Sequence, residues 1–189
     1  MAKVRSNIFT KGLSGTVGGS MVFRRYGEDT VVGVAPTMTK EPSEKQKVVR
    51  ERFLLATIYA KTALKDDSIR AQYQAKADTT TSKNSYLVAV TDFFHAPEID
   101  EINISEYTGA VGSKIKVRAF DDFKVEAVKV EIYNPEGTLV EQGTAQPMET
   151  GLHWEYTTTK DNPAVTGSRV VIKATDMPGN LAQDEKLLN

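Results

Sequence analysis

The side chains able to do chemistry in this chain are few: two histidines, no cysteine, and acidic residues gathered near turns. His95 and His153 lie far apart, in regions of different pattern. A nucleophilic relay needs an imidazole held by a carboxylate and aimed at a hydroxyl. Glu155 would share a strand face with His153, but no serine sits on a recognisable turn beside them. Without cysteine there is no thiolate nucleophile or thiolate metal site, and a transition-metal centre has too few ligands. Gly15-Thr16-Val17-Gly18-Gly19 offers the glycines of a phosphate loop but not the Gly-Lys-Ser/Thr that must follow. The sequence therefore predicts no enzyme and no cofactor. One group stays open: Asp121, Asp122 and Asp176, with Glu98 and Asp100. Loops at one end of a sheet could bring these together, and calcium takes about six to eight oxygens from such loops. The plainer account has each aspartate capping its own turn in water.

Other side chains suit contact better than catalysis. Arg24, Arg25, Lys40, Lys45, Lys47, Arg50 and Arg52, with Phe23 and Tyr26 among them, form a basic stretch. Such a cluster could neutralise phosphates of a nucleic acid and release counterions. Glu28, Asp29, Glu41, Glu44 and Glu51 are interleaved, which reads more simply as a solvated face of mixed charge. Pairing with an acidic neighbouring subunit is an equally physical use of it. Met21, Phe23, Val31 and Val32 are the apolar anchors expected for a protein partner, with Arg24, Arg25, Arg50 and Arg52 around them. Trp154 or Tyr156 could instead stack on sugars, which would make the chain an adhesion module.

The elements that must position these residues differ between the two halves. Residues 1–19 are small and polar, with Gly12, Gly15, Gly18 and Gly19, and read as an arm. Met21–Tyr26 and Thr30–Val34 are β-rich, and Gly27-Glu28-Asp29 between them predicts a hairpin that needs a partner, since two strands alone are marginal in water. Ser43-Glu44-Lys45-Gln46 has the form of a capping box for a helix over 44–65, whose apolar stripe is Val49, Phe53, Ala56, Tyr59, Ala60 and Ala63. Ser68 can cap a second helix to about 77, Thr79–Asn84 is a polar loop, and the 87, 90, 94 spacing tilts the run 86–94 toward helix over strand. His95-Ala96-Pro97 then marks a domain boundary, giving domains 1–96 and 97–189. Beyond it, alternating apolar and polar residues predict strands near 99–105, 114–120, 126–133, 138–142, 152–158, 168–175 and 181–187.

Charge follows the same division. Residues 1–95 carry 15 Lys and Arg against 9 Asp and Glu, and residues 96–189 carry 9 against 16. The halves therefore attract each other, or attract the opposite half of a neighbouring copy. The start Met1-Ala2-Lys3-Val4-Arg5-Ser6-Asn7 is too polar for a secretory signal, so synthesis in the cytoplasm is expected, and no stretch has the roughly 20 apolar residues of a membrane helix.

Lys114–Asp122, Val125–Ile132 and Gly167–Asn180 resemble bacterial immunoglobulin-like and fibronectin-like modules. That resemblance covers about half of the chain and implies a sandwich fold, without implying an activity. Gly12–Gly27, the run to Pro36 and the helix with Arg50-Glu51-Arg52-Phe53 are similar to the start of uncharacterised phage- or mobile-element-associated proteins of Bacteroidota, which implies a virion or assembly context. The sequence thus predicts an α+β N-terminal region followed by an all-β immunoglobulin-like sandwich. Its expected role is a structural protein of a larger particle that binds neighbouring subunits through its arm and hairpin.

Overall fold

The computed structural model describes residues 2–4, 10, 12–26, 29–36, 41–79, 84–149 and 151–189. Expectations placed on Gly27-Glu28, on Lys40 and on the loop 80–83 lie outside these residues. The chain divides into two compact units, Met1–Val48 and Val49–Asn189. The change from helix to strand at 95–98, expected as the domain boundary, falls inside the second unit. Among the described residues the fold is α+β and rich in strand, with three helices and three four-stranded antiparallel sheets.

In the first unit the strands are β1 (Ala2–Val4), β2 (Gly15–Val17), β3 (Met21–Tyr26) and β4 (Asp29–Val34), in the order β1-β4-β3-β2. The expected hairpin is β3 with β4, but it does not stand alone. The glycine-rich stretch supplies β2, because Gly18 and Gly19 adopt positive φ (59° and 67°) and turn the chain back onto Met21. Both free edges of the hairpin are thereby covered, and among the described residues the outer strands are β1 and β2.

Helix α1 (Glu44–Ala63) opens on the capping box expected from sequence. The Gln46 amide donates to Ser43 Oγ at 3.3 Å, and the Ser43 amide donates to Gln46 Oε1 at 3.0 Å. Helix α2 (Asp67–Thr79) is capped by Asp66 rather than Ser68: Asp66 Oδ1 accepts the Ser68 and Ile69 amides at 2.8 and 3.2 Å. A carboxylate one residue before the helix reaches those amides, and a hydroxyl inside the first turn does not. The ambiguous run is helix α3 (Ser85–Phe94), with Asn84 as its N-cap. Ala56, Ala60, Tyr73, Ala89 and Val90 of the three helices form one core cluster, against which Phe123 and Met177 of the strand region also pack.

The strands of the second unit are β5 (Glu98–Asn103), β6 (Lys114–Phe120), β7 (Val125–Tyr133), β8 (Leu139–Thr144), β9 (Gln146–Pro147), β10 (His153–Thr157), β11 (Arg169–Asp176) and β12 (Leu181–Leu187). They form sheets of order β5-β6-β10-β9 and β12-β11-β7-β8. Period-two alternation puts Ile115, Val117 and Ala119 of β6 and Val170, Ile172 and Ala174 of β11 into one shared core. Val128, Val130, Ile132, Trp154 and Tyr156 belong to the same core. No helix among the described residues is long and apolar enough to cross a membrane.

Candidate functional site

The strongest concentration of polar chemistry lies in the second unit, where helices meet the ends of strands. It begins with Asp92. Helix α3 reads Ser-Tyr-Leu-Val-Ala-Val-Thr-Asp-Phe-Phe, and Ala89, Val90 and Asp92 are its buried residues. The face that buries small and branched apolar side chains therefore also carries a carboxylate into the interior, leaving Asp92 only 2% exposed. Burying that charge is costly without partners. Tyr73 of α2 supplies one, donating its hydroxyl to Asp92 Oδ2 at 2.5 Å, and Tyr59 of α1 meets Tyr73 Oη at 2.8 Å. One hydrogen-bonded chain thus links all three helices.

Two further aspartates converge on Asp92 from the strand region. Asp121 ends the link out of β6, where its Oδ2 accepts the Phe123 and Lys124 amides at 2.9 and 3.0 Å and holds the turn into β7. Asp176 ends β11 and holds the next turn, Oδ1 accepting the Asn180 amide at 2.6 Å and Oδ2 the Asn180 side-chain amide at 2.7 Å. The same Asn180 Nδ2 faces the main-chain oxygens of Asp92, Phe93 and His95 at 2.9–3.3 Å at the end of α3, where the His95 amide also donates to the Asp92 oxygen. Carboxylate oxygens of Asp92, Asp121 and Asp176 lie within 4.8 Å of one another.

The electrostatics follow from that crowding. Burial pushes the Asp92 carboxyl up to about 7, against the Tyr73 hydrogen bond, which lowers it; Asp121 and Asp176 raise it further. Burial also raises Asp176, with the Asn180 bonds opposing. Tyr73 is held well above an ordinary tyrosine, first by burial and then by its bond to Asp92. Asp92 Oδ1 and Asp121 Oδ1 are both buried with no hydrogen-bond partner.

The structure brings together two of the three aspartates named for calcium and replaces the third. Asp122 instead pairs with His95, Oδ2 to Nδ1 at 2.7 Å, and Asp100 is bound by Arg118. Glu98 lines a groove with Phe94, His95, Ala96, Phe120, Asp121 and Asp122. Asp92 is the member that turn signals miss. Its signal is the lone charge in the apolar run 85–94.

The expected docking anchors are divided. Met21 is exposed, but Phe23 and Val31, on opposite faces of the sheet, are only 7% and 9% exposed, so they help build the first unit rather than meet a partner. Arg24, Arg25 and Arg50 are exposed, and Val32 is half-buried. Arg52 is committed within the chain: it donates to the Phe94 carbonyl at 3.2 Å, and its guanidinium lies 5.2 Å from the Phe94 ring centre. Trp154 and Tyr156, each 6% exposed, are core residues and offer no stacking face to a sugar. His153 is half-buried in β10.

No protein-family model matches the chain, and no curated protein does. Among solved structures, the crystal structure of an engineered protein is similar at 20% identity and a TM-score of 0.31, over 49% of this chain and 20% of that one.

Proposed function

We propose that this chain is a structural component of a larger assembly, one that docks through its N-terminal unit and presents an immunoglobulin-like module. The observation that carries the docking is a row of apolar side chains across one face of the first sheet. Val17 is paired with Met21, and Met21 with Val34, so the three side chains share a face. They are 49%, 46% and 84% exposed, where a lone soluble domain gains by burying them. The outer strands β1 and β2, unpaired on their far sides among the described residues, add main-chain donors and acceptors that a neighbour's strand can use.

The immunoglobulin-like reading rests on strand order. Counted within the second unit, the sheets run first-second-sixth-fifth and eighth-seventh-third-fourth. With the fourth strand counted as an addition beside the third, the remaining seven follow the pairing of immunoglobulin-like sandwiches, which supports the reading. The N-terminal likeness to phage-associated proteins suggests a virion as the assembly, and the acidic second half provides a counter-charge for basic surfaces of neighbours. Nucleic-acid binding is less well supported, because Arg52 is already engaged by Phe94.

The test is incorporation. In cells making the full chain with its genomic neighbours, the intact protein is expected in a large particle on a density gradient. Deleting residues 1–36, or introducing Met21→Asp with Val34→Asp, is expected to leave it in the light fractions with the second unit still folded. Unchanged incorporation overturns the proposal.

A further inference from the structure

We infer that Asp92, Asp121 and Asp176 form a binding site for a calcium ion, between the third helix and two strand-end turns. Two features of the cluster require something the chain does not itself provide. First, among the described residues no Lys or Arg forms an ion pair with any of the three carboxylates. Three acidic groups are therefore gathered in a largely desolvated place with no cation paired to them among the described residues, where their negative charges disfavour one another. Second, Asp92 is 2% exposed and its Oδ1 has no partner. Its other oxygen is spent on Tyr73, just as Asp121 spends Oδ2 on two amides and keeps a buried, partnerless Oδ1. One carboxylate oxygen from each of the three aspartates lies within 4.8 Å of the others, so the three groups face a common point.

The chemistry of the donors selects the ion. Every candidate ligand is a hard oxygen, with no histidine or sulfur in the cluster, which disfavours zinc and softer metals. An oxygen of each carboxylate lies within 4.8 Å of the others, so bonds of about 2.3–2.6 Å to one ion ask the side chains to close in by no more than a few tenths of an ångström. Calcium's flexible shell of about six to eight oxygens accepts an irregular set of carboxylates completed by water on the half-buried Asp121 side, whereas magnesium demands a near-ideal octahedron at about 2.0–2.1 Å. Asp121, the half-buried member of the cluster, also lines a surface groove with Asp122 and Glu98. The site is independent of how the chain docks.

The experiment uses the full chain stripped with chelator. Addition of calcium is expected to raise the Tm by roughly 5–10 °C at a hundredfold excess over Kd, by mass action on the folded state. Asp121→Asn should lose most of that rise, and Asp122→Asn, outside the cluster, should keep it. Terbium bound in place of calcium should show tyrosine-sensitised luminescence that calcium displaces and Tyr73→Phe weakens. That luminescence reads the site even if Asp121→Asn fails to fold. A wild-type chain with a flat calcium titration and an unmoved Tm overturns the assignment, as does a full response in Asp121→Asn or terbium emission indifferent to Tyr73→Phe. A cluster that only shares a proton would give the flat titration.

Discussion

Tyr73 sits between two partners of different importance, the Asp92 carboxylate and the Tyr59 hydroxyl, and its single proton decides the direction of both bonds. Its proton goes to Asp92 Oδ2, so the Tyr59 hydroxyl must donate to Tyr73. Removing the Tyr73 hydroxyl leaves a second oxygen of the buried Asp92 without a partner, whereas removing that of Tyr59 leaves its own end of the chain half in solvent. Tyr73→Phe is therefore expected to cost about 1–3 kcal/mol, and Tyr59→Phe less than about 1 kcal/mol, in urea denaturation of the full chain. Equal losses would contradict the ordering. At this scale the sequence was only partly legible. Asp121 and Asp176 are visible because turn aspartates follow strand patterns, but their convergence on Asp92 depends on how a helix lies against strand ends. Asp122 shows the limit of sequence adjacency: it neighbours Asp121, yet on the extended chain it points elsewhere, to His95.

Between strands, an ion pair and a glycine decide how well the sheets hold. Glu131 on β7 is 6% exposed and accepts from Lys173 Nζ on β11 at 2.8 and 2.9 Å and from the Tyr133 hydroxyl at 2.9 Å. The Lys173 bond, more than the opposing burial, lowers its carboxyl below the usual range. A folded-state value below the unfolded one gives stability that is present above the ordinary carboxylate pKa and lost as pH falls through the lowered value. Glu131→Gln should therefore be less stable at neutral pH and lose less on acidification than the natural chain; parallel acid limbs in thermal melts would refute this. Gly143 on β8 lies under the Tyr156 ring, where an added Cβ would fall 2.6 Å from the Tyr156 Cε2 atom. Gly143→Ala forces that core aromatic aside and is expected to cost about 1–3 kcal/mol, measurable by urea denaturation. Elements were the most legible scale. Alternation at 114–120, 126–133 and 168–175 and the capping box at Ser43 each correspond to an observed strand or helix start, because a side chain's period fixes its face. The short β2 and β9 carry too few residues for any period, and only backbone pairing reveals them.

Across the whole molecule, a change of pattern is not a change of core. The proline at 97 sets extended backbone and ends the helical spacing, which made 96/97 look like a domain edge. Yet Asn180 reaches back to the carbonyls at 92, 93 and 95, and the Tyr73 ring stacks on Phe123 at 4.3 Å between centroids. Helices and sheets in residues 49–189 therefore share buried contacts that a sequence period cannot report, while the first unit has its own sheet. The division predicts how the chain comes apart. A fragment of residues 43–189 keeps the Ser43 cap and both core clusters, and is expected to melt in one cooperative transition within a few degrees of the full chain's main transition. A fragment of residues 97–189 removes α3 and with it Asp92 and the carbonyls that Asn180 satisfies. Its Asp176-Asn180 turn is then left without those partners, and a Tm lower by about 5 °C or more is expected. Circular dichroism of the two fragments checks this directly, and equal melting temperatures would show that the helices contribute nothing to the strand region's stability.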